Sequence, residues 1–412
     1  MRLWGSRHYR LHTLIAILVV AVLARTTALI PTAAQTQEPT QAPPITKVLL
    51  WHQWLGEDAQ LLTHWITDYQ NAHPDVQIDA RYIDGDLRAQ FADAVRIERG
   101  PDLFIGPSTW TGGLLNAQLI AILGTKIDQS FLAQATDVSW QNVAVNGVIY
   151  GVPESNQGVA LYYNAALVTQ VPATLDDLLK QPVLFAYDFY TTAGIYNGLG
   201  GQLINANDTN LLHADAALNG YLGLLKSAYP NTLAAVTPIP GDQLPLIADN
   251  AFRLGKVPFL IEGNWKLSDL REYLGDQLRV AALPTLANGK PWSPFVISTA
   301  FFISASANAP VQALDFMRYA SGTTAQTQAA KIGQVPVNPN VTPDDSLLAA
   351  FAKQFALGSR TPSNTAMTDY WAALDQAVSA VTVGKQPVDK TAQDVARTLN
   401  VLHAAPTITP TP

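Results

Sequence analysis

Residues 47–105 switch repeatedly between two hydrophobic periods, and this constrains the fold more than any other feature of the 412-residue chain. Lys47-Val48-Leu49-Leu50-Trp51 is an apolar run suited to a buried strand. Between Glu57 and Asn71, Leu61, Leu62, Trp65, Ile66 and Tyr69 recur at the spacing of an amphipathic helix face. Val76, Ile78, Ala80 and Tyr82 then alternate as a second strand. A short helix over Leu87–Glu98 and a third strand over Leu103–Ile105 complete a β-α-β-α-β unit. Strands joined through helices are parallel, with the helices packed on the faces of the sheet.

Ligands of such sheets bind in the crevice outside the strand ends. Tryptophans stand at those ends here. Trp51 and Trp54 close the first run, Trp110 follows Asp102–Gly106, and Trp265 follows Val257–Ile261 through Glu262-Gly263-Asn264. Large flat rings suit flat, weakly polar ligand faces, and sugars have such faces. Further along, Val148–Val152 and Val159–Tyr163 read as strands separated by Glu154–Gly158, and Phe295–Ser304 as a long strand. Asn308-Ala309-Pro310 opens a helix with Ala313, Phe316, Met317 and Ala320 on its apolar face. Helical blocks over 368–383 and 389–402 close the chain.

The length suffices for two domains with full cores. The formal charge of -7 is spread without an acidic block, and no basic patch follows residue 25, so nucleic acid is not expected as a partner. The absence of cysteine excludes disulfides, thiolate catalysis and Cys-ligated metals. It also excludes the acylated cysteine that tethers many exported lipoproteins. Arg2, Arg7 and Arg10 precede the apolar run Thr13–Ala24, which is shorter than the roughly 20 residues of a membrane span. Residues 1–34 therefore read as an export signal, with small-residue cleavage sites at Val22-Leu23-Ala24 and Thr32-Ala33-Ala34. An uncleaved anchor is the alternative. Either way the folded part is expected in the periplasm or outside the cell. Residues 35–44 form a Pro-rich linker and 404–412 a flexible tail.

Five stretches, in order, resemble the extracellular solute-binding proteins (family 1) of bacterial ABC importers, in the branch that includes maltose/maltodextrin-binding protein. They are Gly100–Phe104; Asn146–Pro153; Ala160–Asn164; Gly255-Lys256-Val257 continuing to Gly263-Asn264-Trp265; and Met367–Asp375 with Gly384–Asp389. The resemblance implies a periplasmic-binding-protein-like α/β fold of type II, with two discontinuous α/β lobes joined by a hinge and a ligand cleft between them. The expected lobes are 45–155 with 297–340, and 156–296 with 341–403. The crossings are expected at Ser155–Val159, Ser293–Thr299 and Val337–Asp345. The implied function is non-catalytic capture of a carbohydrate, an oligosaccharide or glycoside, by lobe closure, and its delivery to the membrane permease subunits of an ABC importer. A monomer without cofactor or metal is expected.

Sugar recognition combines aromatic faces with amides and carboxylates that bridge hydroxyls. The resemblance places Trp265 and Trp371 on sugar-stacking positions, although each could instead be a core residue under its helix. It places Gln53 and Trp54 among polar ligand contacts after the first strand, where Trp54 could equally cap the sheet end. Asp188 and Tyr190 match an acidic-aromatic pair of the second lobe, or form an ordinary turn. Trp110 sits among Pro107, Gly112 and Gly113, loop formers that give it little reason to be buried. This chain departs from the maltose-binding pattern in four places. Gly106 replaces an aromatic, Thr109-Trp110 an Asp-Arg pair, Gln157 a carboxylate, and Asp375, on the face of Trp371, a basic residue. Plain maltose is therefore not the expected ligand.

Other patterns carry less. Glu154, Asp102, Asp188 and Glu262 show no spacing that defines a glycosidase pair. His52, His64 and His73 lack metal-site spacing, and Gly194–Gly201 reads as a loop with close helix packing, not a nucleotide fingerprint. The alternatives to a sugar are a polyol phosphate, polyamine or peptide on the same fold. A glycoside hydrolase and an exported sensory or adhesion module rank behind these.

Overall fold

The computed structural model describes residues 44–204, 211–234, 250–363 and 367–402, with side chains undescribed at 231–234. The expected export signal and tail lie outside these residues. No described helix is long and apolar enough to cross a membrane.

The opening unit forms as its periodicity requires: β1 (Thr46–His52), α1 (Gly56–Ala72), β2 (Val76–Tyr82), α2 (Leu87–Arg96) and β3 (Leu103–Pro107). Strand β1 pairs in parallel with both β2 and β3. Helix α1 buries Leu61, Leu62, Trp65 and Tyr69, and carries Glu57 and Asp58 in its first turn, where the helix dipole favours negative charge. After α3 (Thr111–Asn116) and α4 (Asp137–Asn142) comes a hairpin of β4 (Ala144–Val145) and β5 (Val148–Ile149). Its turn is Asn146-Gly147, both with positive φ, the pairing that a tight two-residue hairpin prefers.

Strand β6 (Gly151–Gln157) departs from the expected break over Glu154–Gly158. It runs through those polar residues because both its edges are paired, with residues 297–302 and with Val335 and Pro336. Only Gly158 then separates β6 from β7 (Val159–Asn164), which belongs to a second sheet. That sheet is completed by β8 (Val183–Phe185), β9 (Phe259–Gly263) and β10 (Leu278–Ala281), in the order β10-β7-β9-β8. Helices α5 (Phe189–Gly198), α6 (Ala216–Ala234) and α7 (Leu267–Leu274) accompany it. The glycine cluster near Gly194 is thus helical at its start. Gly194 lies against the buried Trp292, where a β-carbon would collide with the indole.

The chain returns through β11 (Phe295–Ile303), antiparallel to both β3 and β6. Helices α8 (Pro310–Ala320) and α9 (Thr323–Lys331) follow, then β12 (Val335–Pro336), α10 (Ser346–Phe355), β13 (Ser359–Arg360), α11 (Met367–Thr382) and α12 (Val388–Leu402). The larger sheet has seven strands in the order β12-β6-β11-β3-β1-β2, with β13 beside β11. Its core joins Leu50, Trp65, Phe91, Phe104, Phe302 and Phe316. The smaller sheet has a core on each side, one with Phe189, Trp292 and Leu374, the other with Tyr162, Leu270 and Phe351.

A buried polar network ties the strands where the chain crosses between sheets. The Ser298 hydroxyl donates to Asn156 Oδ1 (2.8 Å) and accepts from Asn142 Nδ2 (3.0 Å). Thr361 N donates to Asn142 Oδ1 (3.0 Å), and Ser298 N to Ser108 Oγ (3.1 Å). Buried polar atoms need such partners, and here they join the turn after β3, α4, β6, β11 and the segment after β13.

Candidate functional site

The chain crosses between the two sheets at Gln157-Gly158. Gln157 pairs with Ile297 beside Ser298, itself bonded to Ser108. On the other side, Gly158 and Asn264 bond each other twice: Gly158 N to Asn264 Oδ1 (3.1 Å) and Asn264 N to Gly158 O (3.2 Å). The segments bearing Trp110 and Trp265 are thereby tied to the strands on either side of the point where the chain crosses between the sheets. Gln157 itself is exposed there.

On the smaller-sheet side three aromatic residues form a run. Trp265 lies in a 3-10 turn (Asn264–Lys266) after β9 and is 48% exposed, too open for a core residue under its helix. Its ring folds back over Gly263, where a β-carbon would clash with the indole. Tyr190 lies 6.1 Å from Trp265 and 6.3 Å from Trp371, centroid to centroid. Trp371 is half-buried, packed against Phe189 (5.4 Å) and edge-on to Phe295 (5.6 Å). It combines a core edge with an accessible remainder. The Tyr190 hydroxyl is buried without a hydrogen-bond partner among the described residues, and burial pushes its pKa above the ordinary range, Asp188 and Glu262 adding to the effect.

Asp188 and Asp375 hold this run in place. Asp188 caps α5, its carboxylate accepting from Thr191 N (2.7 Å), and Asp375 accepts from Phe189 N (2.7 Å). Burial raises the Asp375 pKa against the pull of the Phe189 N–H, and the nearby Asp188 charge raises it further. Both carboxylates serve the first turn of α5, an engagement that sequence pattern did not suggest. The backbone N–H groups there need acceptors.

On the larger-sheet side Trp54 is half-buried, edge-on to Trp65 at 6.0 Å, and so partly a cap over the sheet end. The Gln53 amide donates to Ile83 O (3.1 Å) and Gly85 O (2.7 Å), pinning the loop after β2 and leaving its carbonyl oxygen for other contacts. Thr109 and Trp110 lie in a 3-10 turn (Ser108–Trp110) that runs into α3. Gly112 and Gly113 are therefore helical, and the expectation of a loop holding an unburied Trp110 is corrected. Trp110 is half-buried, its ring over Gly106 and stacked toward Phe104 at 6.4 Å. The ring occupies space that an aromatic side chain at position 106 would have filled. Arg88, on α2, places its guanidinium over Trp110 at 6.0 Å. It puts a positive group beside Trp110, although Thr109-Trp110 carries no charge of its own. No sequence signal marked Arg88, because it is remote in the chain and sits on an exposed helix face.

Two of the discounted carboxylates have structural surroundings. Asp102 is buried and accepts from Leu49 N (2.8 Å), Asn308 N (2.6 Å) and Ala309 N (2.8 Å), stapling β1 to the start of α8. Glu154 is fully buried on β6, at the register shift opposite Thr299/Ala300, and neither carboxylate oxygen has a hydrogen-bond partner among the described residues. Burial pushes its pKa up to about 8, and the Asp58 charge adds to the rise. Among the described residues no three metal-ligating side chains come together.

A cavity of about 630 Å³ opens beside Trp265. Asn264, Ser268 and Arg271 line it from the smaller-sheet side, and Glu57, Thr327 and Lys331 from the larger. Residues 341–345 close one end, and Arg271 pairs there with Asp345. The chain thus presents an interlobe space with an exposed indole at its edge.

A sequence model of the bacterial extracellular solute-binding protein family matches residues 64–353. The match covers most of the chain, and the protein belongs to that family. It is 25% identical over 334 residues to the galactooligosaccharide-binding protein of Bacillus subtilis (74% of this chain, 78% of that one). It is 25% identical over 321 residues to the maltodextrin-binding protein MdxE of the same organism (71% and 75%). Among solved structures, a cyclo/maltodextrin-binding protein complexed with maltotetraose superposes with a TM-score of 0.77 at 21% identity, covering 88% of this chain and 98% of that one. An extracellular solute-binding protein from Staphylococcus aureus in complex with maltose gives 0.76 at 20% identity, covering 87% and 98%. The fold is the type II periplasmic-binding fold, with two discontinuous lobes, a hinge and a cleft.

Proposed function

We propose that this protein captures a carbohydrate, an oligosaccharide or glycoside, between its lobes and delivers it to the membrane subunits of an ABC importer. The observation that carries the reading is the run Trp265–Tyr190–Trp371, whose Trp265 borders an interlobe cavity. Aromatic faces without a ring of like charges suit a neutral ligand with apolar C–H faces. The names of the relatives, galactooligosaccharide- and maltodextrin-binding proteins, support the same class.

In this reading Trp265 and Trp371 stack on sugar rings. Trp110, Thr109, Trp54 and Gln53 face the ligand from the larger lobe, and Gln157 bridges hydroxyls at the hinge. Asp188 and Asp375 add polar contacts with the acceptor capacity that their bonds to the first turn of α5 leave, and Tyr190 adds its ring and hydroxyl. Lobes 45–155 with 297–340 and 156–296 with 341–403 close about the crossings, and a ligand that touches both walls favours the closed state. The protein acts as a monomer without catalysis, cofactor or metal. It works outside the cytoplasm after removal of residues 1–34, or held at the membrane by them.

The test is calorimetric and fluorescence titration of the purified protein against a panel of mono- and oligosaccharides, with polyol phosphates, polyamines and peptides as controls. Saturable sugar binding that is lost on replacing both Trp265 and Trp371 is the expected result. Binding of a control class alone would replace the carbohydrate reading.

A further inference from the structure

We infer that Glu57 and Arg271 form an electrostatic latch across the interlobe cavity, so that capture of even an uncharged ligand depends on salt. The inference rests on capture by lobe closure and adds a pair of residues that biases it. Glu57 lines the cavity from the larger-sheet side, in the first turn of α1. Arg271 lines it from the smaller-sheet side, in the last turn of α7. Both residues are exposed. Glu57 forms no ion pair among the described residues. Arg271 pairs with Asp345, whose carboxylate also accepts from Leu347 N (2.9 Å) at the start of α10. The guanidinium is thus held at the cavity by a carboxylate that is itself fixed. It has five N–H donors, and one carboxylate leaves some of them for a second.

The helix dipoles favour an acidic residue in the first turn of α1 and a basic one in the last turn of α7. That accounts for each charge on its own helix, but not for the two facing one space from opposite sides. A compact space of about 630 Å³ is about 10 Å across, close to one Debye length at 0.1 M salt. Opposite charges on its two sides attract more strongly as the walls approach and water leaves, and salt weakens that gain. The other charged groups of the lining are Lys331, on the side of Glu57, and Asp344, beside Asp345 at the end of the space. Lys331 has the sign of Arg271 and opposes the latch, which keeps it modest. An exposed pair of this kind changes affinity by about two- to fivefold. The closed form gains that contribution whatever the charge of the ligand.

The experiment is calorimetric titration of the full chain with maltotriose and galactotriose, both uncharged, at about 0.02 M and about 0.5 M sodium chloride. Wild-type affinity is expected to fall about two- to fivefold at the higher salt. Glu57→Gln should show the weaker affinity at both salts. Glu57→Lys sets a like charge against Arg271 and should invert the dependence, so that affinity rises with salt. Arg271→Gln should add no further loss in the Glu57→Gln background, whereas independent contributions would add. Thermal melts check that each variant is folded. Sugar binding that is insensitive to salt in wild type, or a salt dependence unchanged in both Glu57 variants, overturns the latch and leaves the carbohydrate reading standing. If neither sugar binds, label distances decide. The chain has no cysteine, so Ser268→Cys with Thr327→Cys places spin labels at exposed positions on opposite sides of the cavity. Their separation, read by electron paramagnetic resonance, should shorten at low salt, and Glu57→Gln should abolish that shortening. A separation independent of salt overturns the latch.

Discussion

The indole of Trp265 occupies the space that a β-carbon on Gly263 would enter, leaving no room for a side chain at that position. The neighbouring Glu262 carboxylate accepts from Gly263 N at 2.8 Å, so the backbone beneath the ring is held as well. An exposed aromatic ring gains most as a binding surface when its position is set before the ligand arrives. Gly263→Ala is therefore expected to push Trp265 off its seat and weaken sugar binding about as much as Trp265→Ala does. Loss of a well-placed tryptophan at a binding surface costs about 2 kcal/mol, roughly a thirtyfold change in Kd. Calorimetric titration of both variants checks this, and unchanged affinity in Gly263→Ala would show that the seat is irrelevant.

The same relation recurs on the other lobe. A β-carbon at Gly106 would come within 2.9 Å of the Trp110 ring and 3.1 Å of Phe104. Gly106→Ala should move Trp110 and weaken binding in the same direction as Trp110→Ala. Arg88→Ala removes a cation–π contact worth about 0.5–1 kcal/mol at an exposed site. It should leave stability nearly unchanged while altering affinity and its dependence on salt. Denaturation midpoints and titrations at two ionic strengths separate the two effects.

Both glycine seats show where sequence reading succeeds and where it stops. The β-α-β-α-β periodicity located every element of residues 46–107 to within a few residues, because hydrophobic spacing follows directly from burial. The motif resemblance indicated Trp265 and Trp371, and the place of Trp110 after the third strand indicated that residue. The pattern did not predict that Trp110 would fill the space above Gly106, since that depends on contact between residues four apart in a tight turn. The break assigned to Glu154–Gly158 failed for a related reason. Polar residues usually mark connections, but Ser155 and Asn156 sit in a strand paired on both edges, with Asn156 in a buried hydrogen-bond network. Asp188 and Asp375 resembled ligand groups, yet their carboxylates already accept from the first turn of α5. Acceptors of that kind cannot be assigned until the helix end is placed.

Asp102 illustrates a motif residue whose worth is structural. Its buried carboxylate takes three backbone N–H groups, from β1 and from the entry to α8. Asp102→Ala would leave those donors unpaired, and an unpaired buried group costs about 1–3 kcal/mol. The expected loss is about 3 kcal/mol or more, read from the urea midpoint at unchanged m-value. Affinity measured well below the midpoint should stay near wild type. A stability change under about 0.5 kcal/mol would contradict the staple.

Glu154 makes stability depend on pH in the opposite sense to a paired carboxylate. Its pKa rises from an ordinary value of 4.5 to about 8 in the folded protein, chiefly through burial. The folded state therefore holds a proton that the unfolded chain releases, and this contribution is complete below about pH 4.5 and lost as pH rises through about 8. Each pH unit within that window removes about 1.4 kcal/mol, for a total on the order of 5 kcal/mol. Asp58, on α1, adds repulsion once the Glu154 carboxyl ionises. Glu154→Gln keeps the shape and removes the proton from the balance. The variant should match wild type near pH 5, exceed it in thermal stability above pH 8, and show a flatter dependence between. Parallel melting curves for the two proteins from pH 5 to 9 would mean that the Glu154 carboxyl reaches solvent or a partner and does not carry this linkage.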